Sequence, residues 1–120
     1  MPRYLISIYH DESVQKQWSE AQIADYNSVF RQYMQALQKS GTLLRMIIPM
    51  PSGTATTLQV RDGKTVTVGT HFAGVKEQPF TYYLLDCKDL GEVKALATQV
   101  PLADNWTVEI RPVIDVEQLT

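Results

Sequence analysis

A two-layer α+β fold is what this sequence predicts, and three observations carry it. Short β-rich runs alternate with two stretches of helical periodicity, and one pair of those runs is joined by a tight Asp62-Gly63 turn. At 120 residues the chain is also long enough to bury one core without staples, so a single domain, 1–120, is expected. Hydrophobic content of 44% and charged content of 20% are globular values that disfavour disordered, fibrous and membrane classes.

The elements follow from the pattern in order. Tyr4 to Tyr9 alternates Leu and Ile with smaller or polar residues, a first strand that ends at His10-Asp11. Beyond a polar turn, Ser19-Glu20 opens a helix in which Ile23, Tyr26, Phe30, Tyr33 and Leu37 recur every three or four residues, a stripe assigned to the core, until Ser40-Gly41 stops it. Leu43 to Ile48 is a second strand, interrupted by Pro49-Met-Pro51-Ser-Gly53. Leu58/Val60 and Val66/Val68 then flank Arg-Asp-Gly-Lys and make a hairpin. Gly69 to Gln78, with two glycines and a histidine and no periodicity, reads as a loop. Phe80 to Cys87 is a strand. Asp89 opens a helix from Leu90 to Val100, with Val93, Leu96 and Val100 on one face and Pro101 behind it, and Trp106 to Val113 is the last strand. Asp115 to Thr120 is a short polar tail or a swapped element.

With the hairpin set aside, this order is the split β-α-β arrangement: a ferredoxin-like sandwich with an antiparallel sheet and two helices on one face. The helices leave the other face open. Because Tyr82, Leu84, Trp106 and Val108 supply apolar side chains for both faces of their strands, that second face is expected to be buried in a homodimer.

Charge and cysteine content narrow the setting. The net charge is −2 and the basic residues are scattered singly, which argues against nucleic acid as a partner. Cys87 is alone, so no intrachain disulfide can form and a reducing, cytoplasmic setting is expected. The N-terminal segment lacks a signal-like apolar stretch and no run is long enough to cross a bilayer, so no membrane association is expected.

Candidate chemistry centres on the histidines. His71, in the loop after the hairpin, has the ordinary titration range suited to proton transfer, and Asp11 could orient it if that carboxylate faces the same pocket. His10 points to the opposite side of the strand from Asp11, so the two cannot form a dyad with each other, and His10 is instead a candidate ligand contact. Arg45 is a candidate for binding a ligand carboxylate, the alternative being an edge position from which its head reaches water. Lys76 and Glu77 are candidate ligand contacts too, against the plainer roles of a solvated ion pair and a loop anchor. Tyr82 and Tyr83 alternate across the sheet, so one of them faces the helices and the other the partner or a cavity, and Tyr83 is carried as a candidate contact. Cys87 is a small core residue. The two histidines and one cysteine make no metal-spaced cluster, and no glycine-rich phosphate loop occurs, so neither metal nor cofactor is expected.

Five segments in sequence, Tyr4-Leu-Ile-Ser-Ile-Tyr-His-Asp-Glu12, Thr54-Ala-Thr-Thr-Leu-Gln-Val-Arg-Asp-Gly-Lys64, Lys76-Glu-Gln78, Tyr83-Leu-Leu-Asp86 and Val108-Glu-Ile-Arg-Pro-Val113, resemble the YCII-related, or DGPF-domain, family over nearly the whole chain. The resemblance implies a dimeric α+β barrel of ferredoxin-like topology. Where that family has Asp-Gly-Pro-Phe this chain has Gly69-Thr70-His71-Phe72, so a role of the missing aspartate does not carry over. Related barrels include lyases, dehalogenating enzymes and isomerases of small cyclic compounds. Two functions follow as expectations: a dimeric small-molecule-binding or regulatory module, which the lost acidic residue favours, and a lyase- or isomerase-like enzyme with His71 as general acid/base.

Overall fold

The computed structural model describes residues 2–69 and 76–119. Its elements are β1 (Arg3–Asp11), α1 (Glu12–Gln15), α2 (Glu20–Ser40), β2 (Leu43–Ile47), β3 (Thr57–Arg61), β4 (Lys64–Gly69), β5 (Glu77–Asp86), α3 (Leu90–Ala97) and β6 (Thr107–Pro112). One sheet has the order β2-β5-β1-β6 with every neighbouring pair antiparallel, and β3-β4 form a separate ribbon. That order is the one expected of the split β-α-β arrangement with the hairpin inserted between its second and third strands.

Local chemistry explains the boundaries. Ser19 and Gln22 make a reciprocal capping box at the start of α2, and Gly41 ends it in the left-handed region at φ 76°. Asp89 caps α3 by accepting from the Glu92 backbone N–H at 2.9 Å. Asp62 and Gly63 both have positive φ, 52° and 76°, the signature of a type I′ turn matched to a twisted ribbon.

Even-numbered β1 residues Tyr4, Ile6 and Ile8 face the helices, where they join Tyr83 and Leu85 of β5, Tyr33 and Leu37 of α2, and Val93 and Ala97 of α3 in one buried core. The hydroxyls of Tyr26 and Tyr33 donate to the Pro101 and Leu96 carbonyls at 3.1 and 3.0 Å, so these rings bury their bodies without stranding a polar tip.

Four expectations are corrected. A short helix, α1, replaces the polar turn after β1, because Asp11 accepts from the Ser13 backbone N–H and caps it. Glu77 and Gln78 belong to β5, held there by pairing of Asp11 with Glu77 and His10 with Gln78. The second long helix ends at Ala97, and its final residues form a turn that still buries Val100. Val108, opposite Ile8, and Trp106, packed on Tyr26, both lie on the helix side, so β6 presents Thr107, Glu109 and Arg111 to the outer face. Among the described residues that face carries the apolar side chains of Leu5, Tyr9, Tyr82, Leu84 and Ile47.

Candidate functional site

His10, the last helix-facing residue of β1, is the pivot of the site. Its ring lies among aromatic neighbours, 4.9 Å from Phe80 and 5.4 Å from Trp106 between centroids, and Tyr26 packs on both of those. A bulge delivers Phe80 to this place. Ile8 pairs with Thr81 but Tyr9 with Pro79, so Phe80 is the extra residue of β5 and turns to the helix side beside Thr81. Pro79 marks the irregularity, since a proline in an inner strand is tolerated where the ladder is already broken.

Only 4% of His10 is exposed, and its Nδ1 has no hydrogen-bond partner among the described residues. Burial lowers the imidazole pKa, opposed by Glu12, Asp11 and the side chain of Gln15, so the neutral ring predominates at pH 7. Beside it opens a cavity of about 370 Å³. Ile23, Pro49, Pro51, Pro79 and Phe80 make its apolar wall, while His10, Glu12, Gln15 and Lys16 supply its polar groups. Ile23 is therefore not a core residue of the α2 stripe as its spacing predicts: it is 43% exposed and lines this opening, whereas Trp18, from the chain before α2, packs on Tyr26 further along the helix.

The proline wall is held by a carboxylate. Glu12 accepts from the Ser52 backbone N–H at 2.9 Å and from its hydroxyl, pinning the turn that follows Pro49 and Pro51. Partial burial disfavours the Glu12 charge, but the Ser52 hydrogen bonds, with His10 and Lys16 nearby, outweigh it and hold the carboxyl below its ordinary pKa.

The remaining candidates are dispersed. Asp11 spends its carboxylate on the Ser13 backbone N–H and hydroxyl at 3.0 and 2.6 Å, which together lower its pKa, with the Lys76 ammonium at 3.7 Å. Lys76 is exposed, and Glu77 accepts from the Thr107 hydroxyl at 3.2 Å across the sheet. Arg45 is exposed on β2, an edge strand. Tyr83 is 1% exposed, set edge-on to Tyr33 inside the core, and is not among the cavity-lining residues. His71 lies outside the described residues, so its position relative to Asp11 is open. Cys87 is fully buried, and burial raises its thiol pKa to about 11. Among the described residues no group of three His, Cys, Asp or Glu side chains could hold a metal, and no helix is long and apolar enough to cross a membrane.

Of the sequence candidates among the described residues, only His10 lies on the cavity wall. The reading by residue type missed Glu12, Gln15, Ser52 and Ile23. The one signal for them was the Pro49-Met-Pro51 interruption, which marks a stiff turn but not where it packs.

An uncharacterized protein of Rhizobium meliloti (strain 1021) is 34% identical over 115 residues, covering 91% of this chain and 90% of the relative. The family model of the YCII-related domain matches residues 2–117. The match and the relative together show that the chain belongs to the YCII-related family.

Proposed function

We propose that the protein is a dimeric module that binds a small organic molecule in the cavity at the C-terminal end of β1. One observation carries the reading: a nearly buried imidazole with an unsatisfied Nδ1 forms part of an otherwise mostly apolar wall. Leaving a buried polar atom unpaired costs about 1–3 kcal/mol, and a ligand that hydrogen-bonds it recovers that energy. The cavity volume lies in the range of small-molecule sites. The homodimer rests on the outer sheet face, where Leu5, Tyr82, Leu84 and Ile47 lie uncovered in a molecule whose thinnest dimension, 19 Å, is that of two layers.

A second reading, catalysis, is favoured by the neutral state of His10, which can take a proton from a bound substrate. In it His10 takes the acid/base role that the sequence assigned to His71.

Titrating uniformly ¹⁵N-labelled protein with a library of one- and two-ring compounds tests the binding reading. Shifts of the His10 resonances are expected. A library that perturbs neither His10 nor the Lys16 and Ile23 amides overturns it. Sedimentation at micromolar concentration is expected to give a dimer, and a stable monomer refutes the interface.

A further inference from the structure

The rings packed around His10 reach a second opening. Trp106, edge-on to His10, lines a groove of about 430 Å³ between α1, the first turns of α2 and the turn that leads into β6. Trp18 lies beside it there, with ring planes 2° from parallel and centroids 6.0 Å apart. Tyr26 tilts against both indoles, which steadies the pair, and both are only half-buried. Asp25 of α2 and Asp104 of the turn line the same groove. Both are exposed, and neither has an ion-pair or hydrogen-bond partner among the described residues. Among those residues no lysine, arginine or histidine lines the groove, and Val14 and Ala103 complete it with apolar surface. An indole face carries negative quadrupolar potential and is the best aromatic partner of a cation. Two carboxylates without counter-charge add potential of the same sign. A small metal ion reaches such walls only by giving up tightly held water, whereas an alkylated ammonium ion is weakly hydrated and buries its methyl groups against them.

We propose that this groove binds a small alkylated ammonium ion, with its methyl groups on the indoles of Trp18 and Trp106 and its charge balanced by Asp25 and Asp104. The site is separate from the cavity beside His10 and does not depend on the reading given to that cavity. Among the described residues none lines both openings, and Trp106 connects them through its contact with His10.

Both tryptophans of the chain line the groove, so its occupancy is read directly from intrinsic fluorescence. The test titrates choline against 3,3-dimethyl-1-butanol, which has the same shape with carbon in place of nitrogen and no charge, at an ionic strength held constant with sodium chloride. Choline is expected to change the emission saturably and to bind about five- to tenfold more tightly than the alcohol, the scale of a partly desolvated cation–π contact aided by the carboxylates. The double variant Asp25→Asn, Asp104→Asn alters only exposed side chains and is expected to lower that ratio by about threefold or more, measured by calorimetry. Trp18→Leu is expected to abolish the preference. Equal binding of choline and the alcohol overturns the proposal, and so does binding of neither. A ratio unchanged in the double variant overturns it too, as does sodium chloride alone giving the same change in emission. The comparison within the parent protein and the double variant decide the matter even if Trp18→Leu folds poorly.

Discussion

The two ends of the core are built from the same sheet and differ in how they are finished. At one end Leu85, Cys87, Val93 and Leu37 are all but fully buried and aliphatic or small. At the other, His10, Phe80, Tyr26 and Trp106 pack as tilted and edge-on rings beside an opening, and two buried polar atoms, His10 Nδ1 and Thr81 Oγ1, have no partner among the described residues. Packing alone does not account for the second end, because an aliphatic residue at position 10 would seal it without stranding a nitrogen. The first end holds the fold together, and the second carries the cavity to which the proposed ligand is assigned.

The sharpest way to break this contrast is to truncate one side chain at each end. Leu85→Ala, which removes fully buried atoms from a close-packed site, is expected to lower stability by about 3 kcal/mol in urea denaturation. Phe80→Ala removes a larger side chain but from a half-buried place beside a cavity, and about 2 kcal/mol is expected. An equal or larger loss for Phe80 means that the two ends are packed alike.

Glu12→Gln sharpens the same comparison from the loop side. It weakens the Ser52 hydrogen bonds and is expected to cost about 1 kcal/mol at pH 7, after allowance for solvent screening. The folded carboxyl has a lowered pKa, so its contribution is complete above the unfolded value and is lost as pH falls through the lower folded value. The parent should therefore lose stability in that acid window while Glu12→Gln does not, and identical slopes show that Ser52 does not hold the charge.

The smallest effect concerns His10. Its folded pKa is lowered by burial, so below the ordinary value of 6.5 the unfolded chain takes up a proton that the folded ring resists. Stability of the parent should fall as pH drops below that value, and His10→Phe should remove this part of the slope. A variant with an unchanged profile between pH 5 and 7 shows that the imidazole is not desolvated. At the closed end, Cys87, with its thiol pKa pushed to about 11, should react with a thiol reagent at pH 8 only at the rate of unfolding.

The sequence by itself determined the order of the elements, because capping residues, helical periodicity and the Asp62-Gly63 turn are local signals: Ser19, Gly41, Asp89 and the hairpin all lie where the pattern put them. It also singled out His10 as a candidate ligand contact and Cys87 as core. What it could not supply was which residues meet across long separations. A one-residue bulge between β1 and β5 brings Phe80 to His10, and a contact spanning 40 residues joins Glu12 to Ser52. Neither leaves a trace in spacing, since register and loop docking are set by the energy of the assembled whole. For the same reason Ile23, which keeps the period of a core stripe, was released to the cavity wall: periodicity says which face of a helix a residue occupies, and only the tertiary structure decides how far that face is covered.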